Sequence, residues 1–263
     1  MTVLIWCMPG VFVKRLVRAL LLAGLLLIPS PAPAAETLRE LLPDLAMAPL
    51  RDFRLEATAD GRRLLRFTAE IVNLGAGPFE LYASRASTSD ELMTDIRQRV
   101  YREDGTRREV ATPAVMHFAG DGHDHWHVRE LEDYALTPLG GEQPAAGAKQ
   151  GFCFSDNRLY QASRTGAPQR AQYRSCGGPN NLSLTMGLSI GWGDIYGWYM
   201  HGQYVDVTGL APGFYELSAV ADENGWFEEL DEGNNSTSTL VWLDAAAGTV
   251  HGQWQYLPLL GGT

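Results

Sequence analysis

The chain has 263 residues, of which 45% are hydrophobic, and a formal net charge of −10. This length suits one β-rich domain or two small ones, and it allows a sizeable buried core. The acidic balance disfavours nucleic acid as a partner, because a polyanion repels negative charge, and its long-range field favours cationic ligands.

The first thirty-five residues have the pattern of a secretory signal peptide. Lys14, Arg15 and Arg18 precede an apolar run over residues 19–28, and the small residues of segment 31–35 resemble a cleavage site. The apolar run is too short to span a bilayer easily, and no later segment is apolar enough. We therefore predict a signal peptide over residues 1–35 and one mature domain over residues 36–263. The mature protein is expected to be secreted or periplasmic, without a membrane span.

Short alternating segments separated by glycine-containing turns follow along the mature chain. Many short strands of this kind predict an all-β fold, a β-sandwich-like single domain with long irregular loops and little helix. Helix is expected only over residues 37–42 and in a turn near residues 89–92, and residues 154–203 carry few periodic signals. The predicted strands cover residues 64–73, 79–82, 97–102, 128–136, 151–154, 204–207, 213–220 and 237–243.

The segment Gly122–His127 concentrates ligand chemistry, because His123, His125 and His127 occupy alternate positions. Alternate side chains of an extended strand share a face. A regular strand spreads three of them over roughly 13 Å, so one ion collects all three only where the strand bends or bulges. Three imidazoles suit copper, zinc, iron or nickel, and we predict a metal site here. The alternative is a polar strand face, or an aromatic cluster with Trp126.

The cysteines predict a disulfide bond. Cys7 leaves with the signal peptide, and Cys153 and Cys176 remain as an even pair in an oxidising compartment. On chain entropy alone a loop of this size would contribute about 3 kcal/mol to stability. Two buried free thiols are the alternative.

A turn near the end of the domain gathers oxygen ligands. Glu229, Asp231, Asn234 and Asn235 place carboxylates and amides within seven residues. Calcium is a hard cation that takes six to eight such oxygens, so the turn is a candidate calcium site. The alternative is a solvated acidic turn.

Several short segments, in order and spacing, resemble the lysyl oxidase family over about residues 42–243. The resemblance is to a divergent, bacterial-type member, and most disulfides of the animal members have no counterpart here. The segments that carry it are Leu42–Leu45, the histidine stretch, Gly147–Cys153, Gly187–Ser189, Asp194–Gly197, Gln203–Thr208, Pro212–Gly213 and Glu229–Asn235.

The resemblance implies two cofactors at one site. His123, His125 and His127 would bind copper, and Lys149 crosslinked to Tyr196 would form lysine tyrosylquinone. The chemistry needs a flexible primary amine that can lose its proton in a desolvated site, and Lys149 is the one lysine of the predicted mature chain. Tyr199 is the alternative tyrosine, should the correspondence shift.

The resemblance also implies the activity. A secreted copper and quinone amine oxidase, similar to protein-lysine 6-oxidase, would convert primary amines to aldehydes with O2, releasing ammonia and hydrogen peroxide. Peptidyl lysine and small amines are both possible substrates. Asp194 is a candidate base, although it could instead cap a turn. His117 and His201 are further residues expected near the site.

In the same family the acidic turn joins the start of the domain. The resemblance therefore adds Asp44, by its side chain, and Leu45, by its main-chain carbonyl, to the candidate calcium site. Calcium in this position would be structural, fastening the N-terminal segment to the last strand.

Two other functions remain open from the sequence. A non-catalytic immunoglobulin-like extracellular module that binds metal would explain the turn at residues 73–77 and the acidic turn. That reading leaves the histidine trio and residues 147–197 unexplained. A copper- or zinc-binding protein without the quinone is the third possibility.

Overall fold

The structure, a computed structural model, describes residues 38–120 and 124–252, and of residues 149 and 150 the backbone alone. The predicted signal peptide, His123 and residues 253–263 lie outside the described residues. In chain order the strands are β1 (Glu40–Leu41), β2 (Leu45–Met47), β3 (Arg51–Ala57), β4 (Arg63–Asn73), β5 (Phe79–Ser84), β6 (Leu92–Met93), β7 (Asp95–Arg102), β8 (Arg107–Ala111), β9 (Met116–Ala119), β10 (His125–Pro138), β11 (Ala146–Phe152), β12 (Arg158–Leu159), β13 (Ser183–Leu188), β14 (Trp192–Tyr196), β15 (Val205–Asp206), β16 (Gly213–Ala221), β17 (Ser236–Asp244) and β18 (Thr249–Gly252). A 3-10 turn covers Glu232–Asn234.

The strands form three antiparallel sheets. The first has the order β1-β7-β5-β13, with β8 paired to β7. The second has the order β18-β17-β16-β10-β9-β6, with β11 paired to β10. The third has the order β12-β14-β4-β15, with β2 and β3 also paired to β4. The predicted all-β class is confirmed.

Two long strands organise the molecule. The strand β4 pairs along its length with β2, β3, β14 and β15, and almost all of its residues after Arg63 are buried. The strand β10 pairs with β9 through residues 125–128 and with both β11 and β16 through residues 132–136. A register shift separates these two halves, and Glu130 within it has a φ of 50°. A bulge therefore bends β10 directly after the histidines.

One continuous hydrophobic core receives side chains from all three sheets. Its largest fully buried members are aromatic, and burying each such side chain contributes roughly 1.5–3 kcal/mol. They include Phe67 of β4, Phe79 of β5, Trp126 and Tyr134 of β10, Phe152 of β11, and Phe154. The predicted disulfide is confirmed, since Cys153 and Cys176 are bonded with their Cα atoms 6.0 Å apart.

The helix expected over residues 37–42 is wrong, whereas the turn expected near residues 89–92 is present. Glu40 and Leu41 form β1, which pairs with Arg102 and Tyr101 of β7. Arg108 also binds the Glu40 carboxylate at 2.7 Å. A helix of six residues is marginal in water, so these residues instead form backbone hydrogen bonds with the edge of the sheet. Around residues 89–92 the chain turns and enters β6, and the described residues contain no α-helix.

The expected irregular stretch over residues 154–203 is wrong in part, because it contains β12, β13 and β14. The last two carry glycines that blur the alternation of apolar residues. A Cβ on Gly187 would lie 2.2 Å from the carbonyl oxygen of Phe79, and one on Gly193 would lie 2.8 Å from the Glu70 carboxylate. The neighbouring strand lies so close that only glycine fits at these positions, and the glycines interrupt the alternation by which a strand is recognised in a sequence.

No helix within the described ranges has the length and apolar character needed to cross a bilayer.

Candidate metal and quinone site

Two of the three predicted copper ligands come together on β10. The Nε2 atoms of His125 and His127 lie 2.9 Å apart, and His127 is buried. Imidazole nitrogens lie about 2.0–2.1 Å from a bound zinc ion, so two such ligands at a right angle are separated by roughly 2.9 Å. The pair therefore fits one ion, and the same distance also suits an N–H···N hydrogen bond between suitable tautomers. His123, the third predicted ligand, lies outside the described residues.

Trp126 does not share this face. Because side chains alternate along a strand, Trp126 turns away from the histidines and is fully buried. Its indole N–H donates to the carbonyl of Gly178 at 2.9 Å, and the Arg85 guanidinium stacks on its ring at 4.7 Å. The alternative of an aromatic cluster on the histidine face is therefore not what the structure contains.

A third histidine faces the pair from the neighbouring strand. His117 of β9 is the register partner of His127, and the two rings are perpendicular with centroids 5.9 Å apart. On the other side of β10, Gly151 of β11 leaves space for both rings. A Cβ at Gly151 would lie 2.9 Å from His117 Cε1 and 3.1 Å from His127 Cβ. The missing side chain thus shapes the cradle in which the imidazoles lie.

This cradle yields a testable prediction. Replacing Gly151 by alanine is expected to displace the His117 or His127 ring and to cost about 1–3 kcal/mol in overpacking. We expect weaker copper binding, measured by competition with a chelator of known affinity. Gly120→Ala is the matched control, because a Cβ there meets no described atom within 4 Å. Equal copper affinity in both variants would contradict the cradle.

Tyr196 lies against the histidines at the end of β14. It is 5% exposed, and its ring stacks on Phe152 with centroids 4.2 Å apart and planes 21° apart. Its hydroxyl accepts a hydrogen bond from the Cys153 amide at 2.9 Å and lies 3.4 Å from His127 Nε2. Tyr199, the alternative tyrosine, is 73% exposed. The geometry therefore favours Tyr196 as the tyrosine of the site.

Lys149 belongs to the strand that contacts Tyr196. Its backbone is in β11, in register with Asp133 of β10, two residues before Gly151 and four before Cys153. Gly151 borders the imidazoles, and the Cys153 amide binds the phenol. Lys149 therefore lies on the same segment as the residues that contact the imidazoles and the Tyr196 phenol, the two groups with which the resemblance associates it.

The disulfide bond braces this site from both sides. The amide of Cys153 binds the Tyr196 hydroxyl, and the carbonyl of Cys176 accepts the Trp126 amide at 3.0 Å. Trp126 stands between His125 and His127 on β10. The bond between the two cysteines thus ties the segment that holds the phenol to the segment that holds the histidines.

Asp194, the predicted base, is engaged in fixing a turn. One carboxylate oxygen accepts from the Ser155 amide at 2.9 Å and from its hydroxyl at 3.3 Å, and the other accepts from the Asn157 side chain. Burial raises the pKa of Asp194 well above its usual value, and the bonds from Ser155 and Asn157 oppose that rise. Both oxygens hold residues 155–157 against β14, as in the turn-capping alternative.

Several residues of the site carry no signal in the sequence. Phe152 acts through its ring, and Cys153 acts through its amide. Glu132 and Tyr134 are buried on the inner face of β10, and Tyr134 exchanges hydrogen bonds with Gln203, the shortest of 2.8 Å. A carboxylate at an inward position of a strand would have been a signal, but the bulge before Glu132 conceals which positions face inward.

The predicted calcium ligands also converge, across 190 residues of sequence. Asn234 donates to the Asp44 carboxylate at 2.9 Å, and Asn235 donates to the Glu229 carboxylate at 3.0 Å. Glu229 also accepts the Leu45 amide, and Asp231 accepts the Gly233 amide at 2.8 Å. The acidic turn is therefore attached to the first residues of the domain.

The electrostatics of this cluster favour a cation. The side-chain oxygens of Asn234 and Asn235 are buried and have no hydrogen-bond partner in the described structure. Burial raises the pKa of Glu229 to about 8, and burial together with the charge of Asp231 raises the pKa of Asp44. Orphaned amide oxygens beside carboxylates that resist ionisation fit a hard divalent ion.

Among the described residues, no three histidine, cysteine, aspartate or glutamate side chains lie together in a ready-made metal site. Asparagine and main-chain oxygens make up half of the candidate calcium ligands, and His123 lies outside the described residues. The orphaned amide oxygens and the spacing of the imidazole nitrogens are therefore the features that suit calcium and copper.

Comparison with known proteins gives one consistent result. The family model named Lysyl oxidase matches residues 106–252, more than half of the chain. The chain is 27% identical to lysyl oxidase homolog 3A of Danio rerio over 66% of its length and 18% of that protein. It is 28% identical to lysyl oxidase homolog 2 of Xenopus tropicalis over 80% of its length and 22% of that protein. The chain spans about a fifth of the length of these curated relatives. It belongs to the lysyl oxidase family.

Proposed function

We propose that the protein is a secreted copper-dependent amine oxidase. It oxidises primary amines to aldehydes with O2 and releases ammonia and hydrogen peroxide. The observation that carries this proposal is the buried phenol of Tyr196, whose hydroxyl lies 3.4 Å from His127 Nε2. Family membership supports the same chemistry.

In this proposal His123, His125 and His127 hold the copper, and Lys149 with Tyr196 forms the quinone. When bound, copper and the lysine tyrosylquinone supply the redox chemistry and the electron sink that amino acids lack. The protein supplies position. Phe152 stacks on the Tyr196 ring and the Cys153 amide holds its hydroxyl, so the ring has one orientation relative to the histidines. Burial excludes water from the phenol and strengthens every electrostatic interaction around it.

The charge of the chain suits the proposed substrates. Primary amines, including lysine side chains, are cations at neutral pH. A net charge of −10 attracts cations at long range and raises their rate of encounter. Export to the periplasm or the medium belongs to the proposal, and the Cys153–Cys176 disulfide is consistent with an oxidising compartment.

The function is tested by supplying the copper-loaded protein, in air, with a panel of primary amines that includes n-butylamine, cadaverine and a lysine-containing peptide. We expect amine-dependent hydrogen peroxide together with the matching aldehyde. A protein that retains copper yet forms no peroxide with any primary amine would contradict the proposal. It would favour a metal-binding module without catalysis.

We also assign a structural calcium ion to Asp44, Glu229, Asp231, Asn234 and Asn235, with the carbonyl of Leu45. The support is the convergence of these residues and the two orphaned amide oxygens. Calcium would compensate the negative charges of these carboxylates, of which Asp44 and Glu229 are buried.

Removal of calcium is expected to lower the melting temperature. A ligand that binds only the folded state stabilises it by about 2.7 kcal/mol at a hundredfold excess over its Kd. A calcium-selective chelator should therefore lower the melting temperature by several degrees in a thermal scan, and Asp231→Asn should reduce this response. Asp104→Asn, in an exposed turn, is the control. An identical melt with and without calcium would contradict the site.

A further inference from the structure

Glu132 is a buried acid for which the fold gives no structural reason. It is fully buried, and neither of its carboxylate oxygens has a hydrogen-bond partner in the described structure. Burying an unpaired polar group costs free energy, and natural proteins rarely retain one without a role. By contrast, two other buried glutamates have partners. Glu70 binds Arg51 and Arg158, and Glu80 binds Arg99.

The position of Glu132 connects it to the candidate quinone site. It follows the β10 bulge and is in register with residue 150 of β11, one position from the Asp133–Lys149 pair. Its other neighbouring strand, β16, contributes only Ala221 at this level. The residue thus lies on the inner side of the strand pair that carries both the histidines and Lys149.

The acidic groups around Glu132 belong to the same site. Burial raises the pKa of Asp194, two residues before Tyr196 on β14, and the negative charge of Glu132 adds to that rise. Burial likewise raises the pKa of Tyr134, and the charge of Glu132 adds to that rise. Asp194 of β14 and Tyr134 of β10 are thus the ionisable groups whose pKa values respond to Glu132. No arginine among the described residues compensates its charge.

Asp194 and Glu132 are both buried, but the Glu132 oxygens lack close hydrogen bonds of the kind that engage Asp194. Asp194 already accepts three hydrogen bonds from Ser155 and Asn157, so its carboxylate is occupied in holding the turn. Burial raises the pKa of Glu132 to about 8, and a weak interaction with the Tyr134 hydroxyl opposes that rise. A carboxyl group with such a pKa exchanges protons near neutral pH, as a general base requires.

We propose that Glu132, rather than Asp194, is the proton-accepting residue of this site. The inference rests on the proposed amine oxidase function. When a primary amine is oxidised, the C–H bond next to nitrogen breaks. The proton would pass to a carboxylate oxygen of Glu132, and the quinone of the proposed function would supply the acceptor for the electron pair. With O2 as the final oxidant and water as a reactant, the products would be the aldehyde, ammonia and hydrogen peroxide.

The test replaces Glu132 by glutamine, which has the same shape and cannot accept the proton. A missing general base costs about 10²–10⁴-fold in rate, so kcat/KM for n-butylamine should fall at least 100-fold with copper content unchanged. The activity of the unmodified protein should increase as the pH rises through about 8, and Glu132→Gln should lack this increase. Glu132→Asp should recover part of the rate. Glu80→Gln, at a buried glutamate of the first sheet, is the control and should remain within threefold of the unmodified protein.

A second readout does not depend on activity. The pKa of Glu132 is raised in the folded protein from 4.5 to about 8. Its contribution to stability is therefore complete below about pH 4.5 and is lost as the pH rises through about 8. The melting temperature of the unmodified protein should therefore fall relative to that of Glu132→Gln as the pH rises from 5 to 9.

The possible outcomes separate the two proposals. If the unmodified protein oxidises amines and Glu132→Gln does so within threefold and with the same pH profile, the assignment of Glu132 is overturned alone. If the copper-loaded unmodified protein oxidises no primary amine, both proposals are overturned. If the melting temperatures of the two proteins stay in parallel from pH 5 to pH 9, Glu132 does not hold a proton in the folded state, and the assignment is again overturned.

Discussion

Replacing Tyr196 by phenylalanine is expected to reduce amine oxidation to background while the protein stays folded. Phenylalanine keeps the ring that stacks on Phe152 and loses only the oxygen that binds the Cys153 amide. One lost hydrogen bond of this kind costs about 1 kcal/mol, a small part of the stability of a domain. The quinone, in contrast, cannot form without the phenol oxygen, so the loss of activity should be complete.

Tyr199→Phe is the matched control for this experiment. Tyr199 is three residues further along the chain and 73% exposed, so its hydroxyl lies in solvent rather than beside His127. The control should keep its activity and its quinone absorbance. Loss of activity in Tyr199→Phe, with retention in Tyr196→Phe, would move the cofactor to the other tyrosine and overturn the geometry of the site.

Replacing Lys149 by arginine should have an equally large effect for a different reason. Arginine keeps the length and the positive charge of the side chain. It remains charged at every accessible pH and cannot add to a quinone ring as a neutral amine does. We expect no peroxide formation, with copper content and melting temperature close to those of the unmodified protein.

A double variant distinguishes the position of the lysine from its mere presence. Arg97 is an exposed residue of β7, and Lys149→Arg combined with Arg97→Lys keeps the number of lysines constant. This protein should be as inactive as the single variant. Peroxide production by either one would show that Lys149 is not a precursor of the cofactor.

Strands with regular alternation could be predicted from the sequence. The predicted strand over residues 64–73 agrees with β4 within one residue, and the one over residues 213–220 agrees with β16 within one residue. Burial in β16 alternates along the strand and follows the sequence period, whereas β4 has partners on both sides and is buried almost throughout. The strands β13 and β14 were hidden by Gly187 and Gly193, where the approach of a neighbouring strand leaves no space for a side chain.

Residues of the candidate site were predictable only where their chemistry is rare. Three histidines at alternate positions and a single lysine are conspicuous in any chain. Asp44 and Asn234 are common residue types, 190 positions apart, and only the resemblance connected them before the structure did. Glu132 could not be recognised, because the bulge at residues 129–131 resets which side of β10 faces the core.

Lys149 and Tyr196 should be covalently joined in the active protein. Peptide mapping by mass spectrometry, after copper loading in air, measures this bond itself. We expect one crosslinked species that contains both residues and is lost in Lys149→Arg and in Tyr196→Phe. Recovery of the two residues in separate, unmodified peptides from protein that oxidises amines would contradict it.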